Sequence, residues 1–107
     1  MRDALEAVLA GRAALAFPRA AADLAGLRAA AGESELLLLI ITPDVPAIDR
    51  AMLLAAVGPL AVDLAPDVRI AAIVVAPDAT VADVAEAAGF LATAESTTGQ
   101  TVRITPR

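Results

Sequence analysis

The spacing of apolar residues changes period several times along the chain, and each change marks an element. Over Arg2–Ala10 the apolar residues recur at helical spacing, with Leu5, Val8 and Leu9 on one face. Asp3 lies near the start, where the helix dipole favours an acid, and Gly11 ends the segment. Ala13–Phe17 is a short apolar run that predicts a strand, although alanine is a poor strand former. Pro18 suits a first helical turn, and Arg19–Ala31 predicts a helix with Leu24 and Leu27 on its apolar face, ended by Gly32. Leu36–Thr42, LLLLIIT, is apolar throughout and predicts a central strand, followed by the turn Thr42-Pro43-Asp44-Val45-Pro46.

The stretch from Met52 to Ala79 organises the rest. A helix is predicted from about Ile48 to Ala65, and its part from Ala51 onward is apolar nearly all the way round, with Asp63 as its only charge. Such a helix is expected to be covered on two sides. Gly58-Pro59 inside it predicts a kink, and Ala65-Pro66 ends it, because proline cannot continue the hydrogen-bond ladder. Val68–Ala76 is apolar and β-branched without alternation, as in a parallel strand covered on both faces. After the turn Pro77-Asp78, Thr80 is a candidate N-cap for a helix over Val81–Ala92 whose apolar face holds Val84, Ala88 and Leu91. Ser96–Gly99 reads as a polar turn and Gln100–Thr105 as the last strand. The alternation predicts an α/β fold in one domain, residues 1–107: an N-terminal helix over 1–12, then βαβαβαβ over 13–107. Its parallel sheet has about four strands in sequential order, with flanking helices.

Composition narrows the function. The chain has 107 residues, 59% of them hydrophobic, and only 2% aromatic, from Phe17 and Phe90. About a quarter of the residues are alanine, which makes thin, closely packed helices with little buried area per residue. A domain of this kind gains from burying further surface against a partner. A net charge of −5 with no lysine argues against nucleic acid and anionic membranes as partners. Without cysteine or histidine there is no thiol chemistry and no metal constellation, and Ser34 and Ser96 have no histidine to activate them. No apolar run reaches the roughly 18 residues needed to span a bilayer, and the acidic, amphipathic start is unlike a signal peptide, so a cytoplasmic location is expected.

Two segments carry a family resemblance. LAVDLAPDVRIAAIVVAPDAT and ADVAEAAGFLATAESTTGQTVRI together resemble the C-terminal half of the short-chain dehydrogenase/reductase (SDR) family. The first matches the run from its catalytic helix into the strand whose proline turn lies beside the nicotinamide. The second matches its final helix and strand, with the TGQ ending. The resemblance covers Arg50–Ile104 best and implies a half-Rossmann fold lacking the nucleotide-binding half.

The departures shape the expected function. The family's catalytic tyrosine slot falls on Pro46, its lysine slot, four residues later, on Arg50, and its catalytic serine position on Thr42. The chain contains no tyrosine, lysine, asparagine or histidine. No glycine-rich phosphate turn is present, and Pro77, Asp78 and Thr80 would be vestiges of the nicotinamide side. No cofactor is expected in this chain, with NAD(P) belonging to a partner subunit. The resemblance further implies docking through the catalytic helix and the last helix and strand: Met52, Leu53, Ala56, Leu60, Phe90, Leu91, Gln100, Val102 and Ile104. The expectation is a non-catalytic subunit of a hetero-oligomeric reductase, its partner a full-length family member of ketoreductase type or the chain itself. Alternatives are a small-ligand or acyl-chain binding module above Thr42 and Pro77, or an oxidoreductase that borrows residues from another chain to complete Thr42 and Arg50. Against these stand plain readings: Asp44 or Asp49 as helix caps, Arg50 as a solvated arginine, and the apolar helix as ordinary core.

Overall fold

The computed structural model describes residues 1–93 and 99–104, the side chain of Gln100 excepted. Four strands, β1 (Ala14–Ala16), β2 (Leu36–Ile41), β3 (Arg69–Val75) and β4 (Gln100–Ile104), form one sheet in the order β1-β2-β3-β4. All three pairings are parallel: Leu15 lies opposite Leu38, Leu38 opposite Ala71, and Ile73 opposite Val102. The helices are α1 (Arg2–Leu9), α2 (Leu27–Ala31), α3 (Ala47–Leu64) and α4 (Val81–Thr93).

β2 is buried at every position, so its alternating side chains feed two separate cores. Leu36, Leu38 and Ile40 pack with Ala71, Ile73 and Val75 of β3 beneath α1 and α4, through Leu5, Leu9, Val84, Ala88 and Leu91. Leu37 and Leu39 pack on the opposite face with Ile70 and Ala72 beneath α2 and α3, through Leu27, Ala31, Val57, Ala61 and Leu64. The result is a three-layer α/β/α arrangement in which no polar or charged side chain is buried among the described residues.

The ends of the elements follow local chemistry. Ala10 adopts a left-handed conformation with Gly11 at φ +81° behind it, which stops α1 where the sequence places the stop. The Thr80 hydroxyl accepts the Asp83 N–H at 3.1 Å and caps α4 as expected. Gly99, the glycine of the TGQ ending, enters β4 at φ +73° and donates its N–H to the Ile70 carbonyl at 2.7 Å. A side chain there would be strained by the backbone and would meet the Ala61 methyl at 3.4 Å.

Two expectations need correction. The helix predicted over Arg19–Ala31 is a 3₁₀ turn, Ala21–Gly26, followed by the short α2. The Asp23 carboxylate accepts the N–H groups of Arg19 and Ala20, at 2.7 and 3.2 Å, and this local bonding holds Ala20 extended and delays the helix. The first strand is limited to Ala14–Ala16, in keeping with the weak strand preference of alanine. On α3 this chain buries Leu53, Val57, Ala61 and Leu64, and Ile48, Met52 and Val62 on its other side are exposed. The Ser96 turn lies outside the described residues.

Leu38 is fully buried where β1, β2 and β3 meet one core, so Leu38→Ala should cost about 2–5 kcal/mol in chemical denaturation. Val62→Ala, at a position 76% exposed, should stay within about 0.5 kcal/mol.

Candidate functional site

Parallel strands bring the turns that follow β2 and β3 to one edge, where open α/β sheets bind ligands. Thr42, directly after β2, donates its hydroxyl to the Asp44 carboxylate. The other Asp44 oxygen receives the Arg19 guanidinium at 2.8 Å, which ties the β1–α2 connection to the β2–α3 turn across 25 residues. The Thr42 hydrogen bond, then Arg19, hold the Asp44 carboxyl below its ordinary value. Asp44 therefore braces two loops and does not cap α3. The helix starts instead from Pro46 with no side-chain cap, and Asp49 lies in its first turn.

Pro46 and Arg50, the positions expected to correspond to the family's tyrosine and lysine, are one helical turn apart, the Pro46 carbonyl accepting the Arg50 N–H at 2.9 Å. The Arg50 guanidinium folds back onto the same turn, donating from Nη2 to the Val45 carbonyl at 3.0 Å and the Pro43 carbonyl at 3.4 Å. Arg50 is thus a half-buried clamp on the turn. Pro77 and Asp78 are exposed in a turn closed by Ala79 N–H to the Ala76 carbonyl at 3.1 Å. A shallow cleft of about 260 Å³ lies here, lined by Pro43, Arg50, Val74–Pro77, Arg103 and Ile104. The sequence reading missed Arg103, which sits opposite Val74 in the ladder and has no local signal. A larger concavity, about 620 Å³, opens at the opposite strand ends among Gly11, Arg12, Glu33–Glu35, Arg69 and Ala92.

This edge holds a hydroxyl, a carboxylate kept ionised and fixed cations. The chain supplies no histidine or cysteine to it, and no described residues gather into a metal-binding cluster. Among the described residues no helix is long and apolar enough to cross a membrane.

The other candidate surface is the outward side of α3. The sheet takes Leu53, Val57, Ala61 and Leu64. Ile48, Ala51, Met52, Ala55, Gly58, Pro59 and Val62 are exposed, Ile48 at 71% and Met52 at 50%. None of these seven is charged or polar. Of the expected docking residues, Met52 and Phe90 are exposed, and Ala56, Leu60, Val102 and Ile104 are half-buried. Leu53 and Leu91 are corrected: at 0% and 2% exposure they belong to the chain's own core and offer nothing to a partner. The Gln100 side chain lies outside what is described. Ile48, Ala55, Pro59 and Val62 were missed, although their spacing with Met52 marks a single helical face.

A four-stranded parallel sheet in sequential order, layered by helices, with turns of this kind at its carboxyl edge, is the half-Rossmann architecture of a dehydrogenase-like protein. A family model described as "SDR-like: Short chain dehydrogenase-like protein" matches residues 3–104, and the chain belongs to that family. No curated protein and no solved structure matches it significantly.

The low Asp44 pKa has a pH consequence. A carboxyl whose folded pKa lies below its unfolded value stabilises the fold above the unfolded pKa, about 3.8, and the contribution disappears as pH falls through the folded pKa. Asp44→Asn should lower the unfolding midpoint at pH 7 and reduce the acid-side loss of stability below about pH 4, as read from thermal melts across pH.

Proposed function

We propose that this chain is a non-catalytic SDR-like subunit that acts by association. Its partner is another chain of the same fold, either a full-length short-chain dehydrogenase/reductase of ketoreductase type or a second copy of itself. In the first case the nicotinamide cofactor and the proton chemistry belong to the partner, and this chain supports that activity by completing an interface and steadying the neighbouring active site.

The observation that carries this reading is the largely apolar outer side of α3, where seven exposed uncharged residues stand beside a single acid, Asp63, on a helix whose other side already fills the core. Support also comes from the positions that match the family's chemistry. Pro46 has no side chain able to shuttle a proton, Arg50 stays charged and is spent on two carbonyls, and the Thr42 hydroxyl is committed to Asp44. A small-ligand module is a second reading, favoured by the cleft beside Arg50 and Arg103. Calorimetry with nicotinamide nucleotides and acyl thioesters separates the two, since the association reading expects no heat of binding from the isolated chain.

The principal test is sedimentation of the chain alone and with a co-expressed full-length reductase. Association is expected in one or both samples. Met52→Glu should weaken it by at least tenfold while leaving the far-UV circular dichroism unchanged, because Met52 is 50% exposed and outside the buried core. A chain that stays monomeric in both samples at micromolar concentration, or that turns over an alcohol–ketone pair with NAD(P) unaided, would overturn the proposal.

A further inference from the structure

Arg103 stands opposite Val74 in the ladder, and residues in register share one side of a parallel sheet. Val74 packs against Ile41, Val45 and Leu53, so that side is the one covered by α3, and Arg50 reaches the same place from the start of α3. Both arginines border the cleft of about 260 Å³, with Pro43, Val74, Ala76, Pro77 and Ile104 around them. No acid lines it. Asp49 and Asp78, chain neighbours of Arg50 and Pro77, take no part in its wall, and neither do Thr42 and Pro46. Among the described residues neither guanidinium is within ion-pair distance of a carboxylate, in contrast to Arg2 beside Glu6 and Arg19 beside Asp44. The net charge of −5 opposes an anion at long range. Salt screens that field beyond about 8 Å at physiological ionic strength, so the lining decides what binds.

The donors on offer define the ligand. Both carbonyls that hold Arg50 are served from Nη2, which fixes the plane of the guanidinium and leaves the N–H groups of Nε and Nη1. A fork held in place in advance loses little freedom on binding. Backbone donors are scarce: Pro43 and Pro77 have no N–H, and that of Ala76 goes to the Ile104 carbonyl at 3.1 Å. Two guanidinium forks without a cradle of backbone N–H groups suit the two oxygens of a carboxylate better than a phosphate. The remaining wall is apolar and the volume falls below the roughly 300–1,000 Å³ of drug-sized sites, which excludes a whole nucleotide. We infer that this cleft binds a short aliphatic carboxylate, its head between Arg50 and Arg103 and its apolar body against Val74, Pro77 and Ile104. Such a site is independent of association, since a monomer and a subunit would carry it alike.

The test is a titration of amide NMR shifts with sodium butyrate at neutral pH and low salt. Saturable shifts are expected at Val74–Ala76 and Arg103–Ile104, with inorganic phosphate at least tenfold weaker and butanol without effect. Arg103→Gln, at an exposed position, should weaken butyrate at least tenfold with unchanged circular dichroism. Arg2→Gln makes the same change of charge away from the cleft and should leave the affinity as it is. Absence of saturable binding at tens of millimolar butyrate would overturn the inference. So would phosphate binding as tightly as butyrate, or equal weakening by Arg2→Gln and Arg103→Gln. None of these outcomes bears on the sedimentation result, so the two readings stand or fall separately.

Discussion

The burial of β2 on both faces is the constraint on which the rest of the structure depends. Six consecutive apolar residues cannot all be covered by one layer, because successive side chains of a strand point to opposite sides. Two layers of helices are therefore required, and each must bring an apolar face of its own. The layer of α1 and α4 brings Leu5, Leu9, Val84, Ala88 and Leu91, and that of α2 and α3 brings Leu27, Ala31, Val57, Ala61 and Leu64. With so much alanine the helices lie close, as at Gly89, where an added methyl would sit 3.5 Å from Val8 on α1. Close packing of small residues gives a core in which, among the described residues, no polar or charged side chain is buried.

At the carboxyl ends of the strands, several polar side chains hold the turns. Thr42 and Arg19 both serve Asp44, and Arg50 serves the carbonyls of Pro43 and Val45. A general acid or base needs a pKa near the working pH and a free path to substrate. Arginine offers neither, and an aspartate pushed further into its ionised form moves away from that range. In these residues the edge after β2 is a set of braces.

Strand and helix identities were largely legible because the period of the apolar pattern and the glycine and proline stops are local. Gly11, Thr80 and the LLLLII run each act within one turn of themselves, and each does what its chemistry predicts. The 3₁₀ turn at Ala21–Gly26 was not legible, since it depends on Asp23 choosing the backbone of Arg19 and Ala20 over a helical partner. The Arg19–Asp44 pair was out of reach for a different reason: its members are 25 residues apart, and only the folded sheet makes them neighbours. Leu53 and Leu91 were misplaced as docking residues because an apolar residue on an apolar helix carries no mark of which side it faces.

That last ambiguity is resolved by the sheet, and its resolution carries the functional argument. On α3 the positions 53, 57, 61 and 64 follow one helical stripe, and 48, 52, 55, 59 and 62 follow another on the far side. The inner stripe is explained by the fold alone. The outer one is not, because solvated helix faces ordinarily carry charge and this chain has charge to spare, with thirteen acidic residues and eight arginines. Charge is plentiful elsewhere on the surface, and on this face it is limited to Asp63 near the end of the helix. The difference between the two stripes is therefore a property of that face, and covering it removes from water the apolar surface that the chain's own core cannot reach.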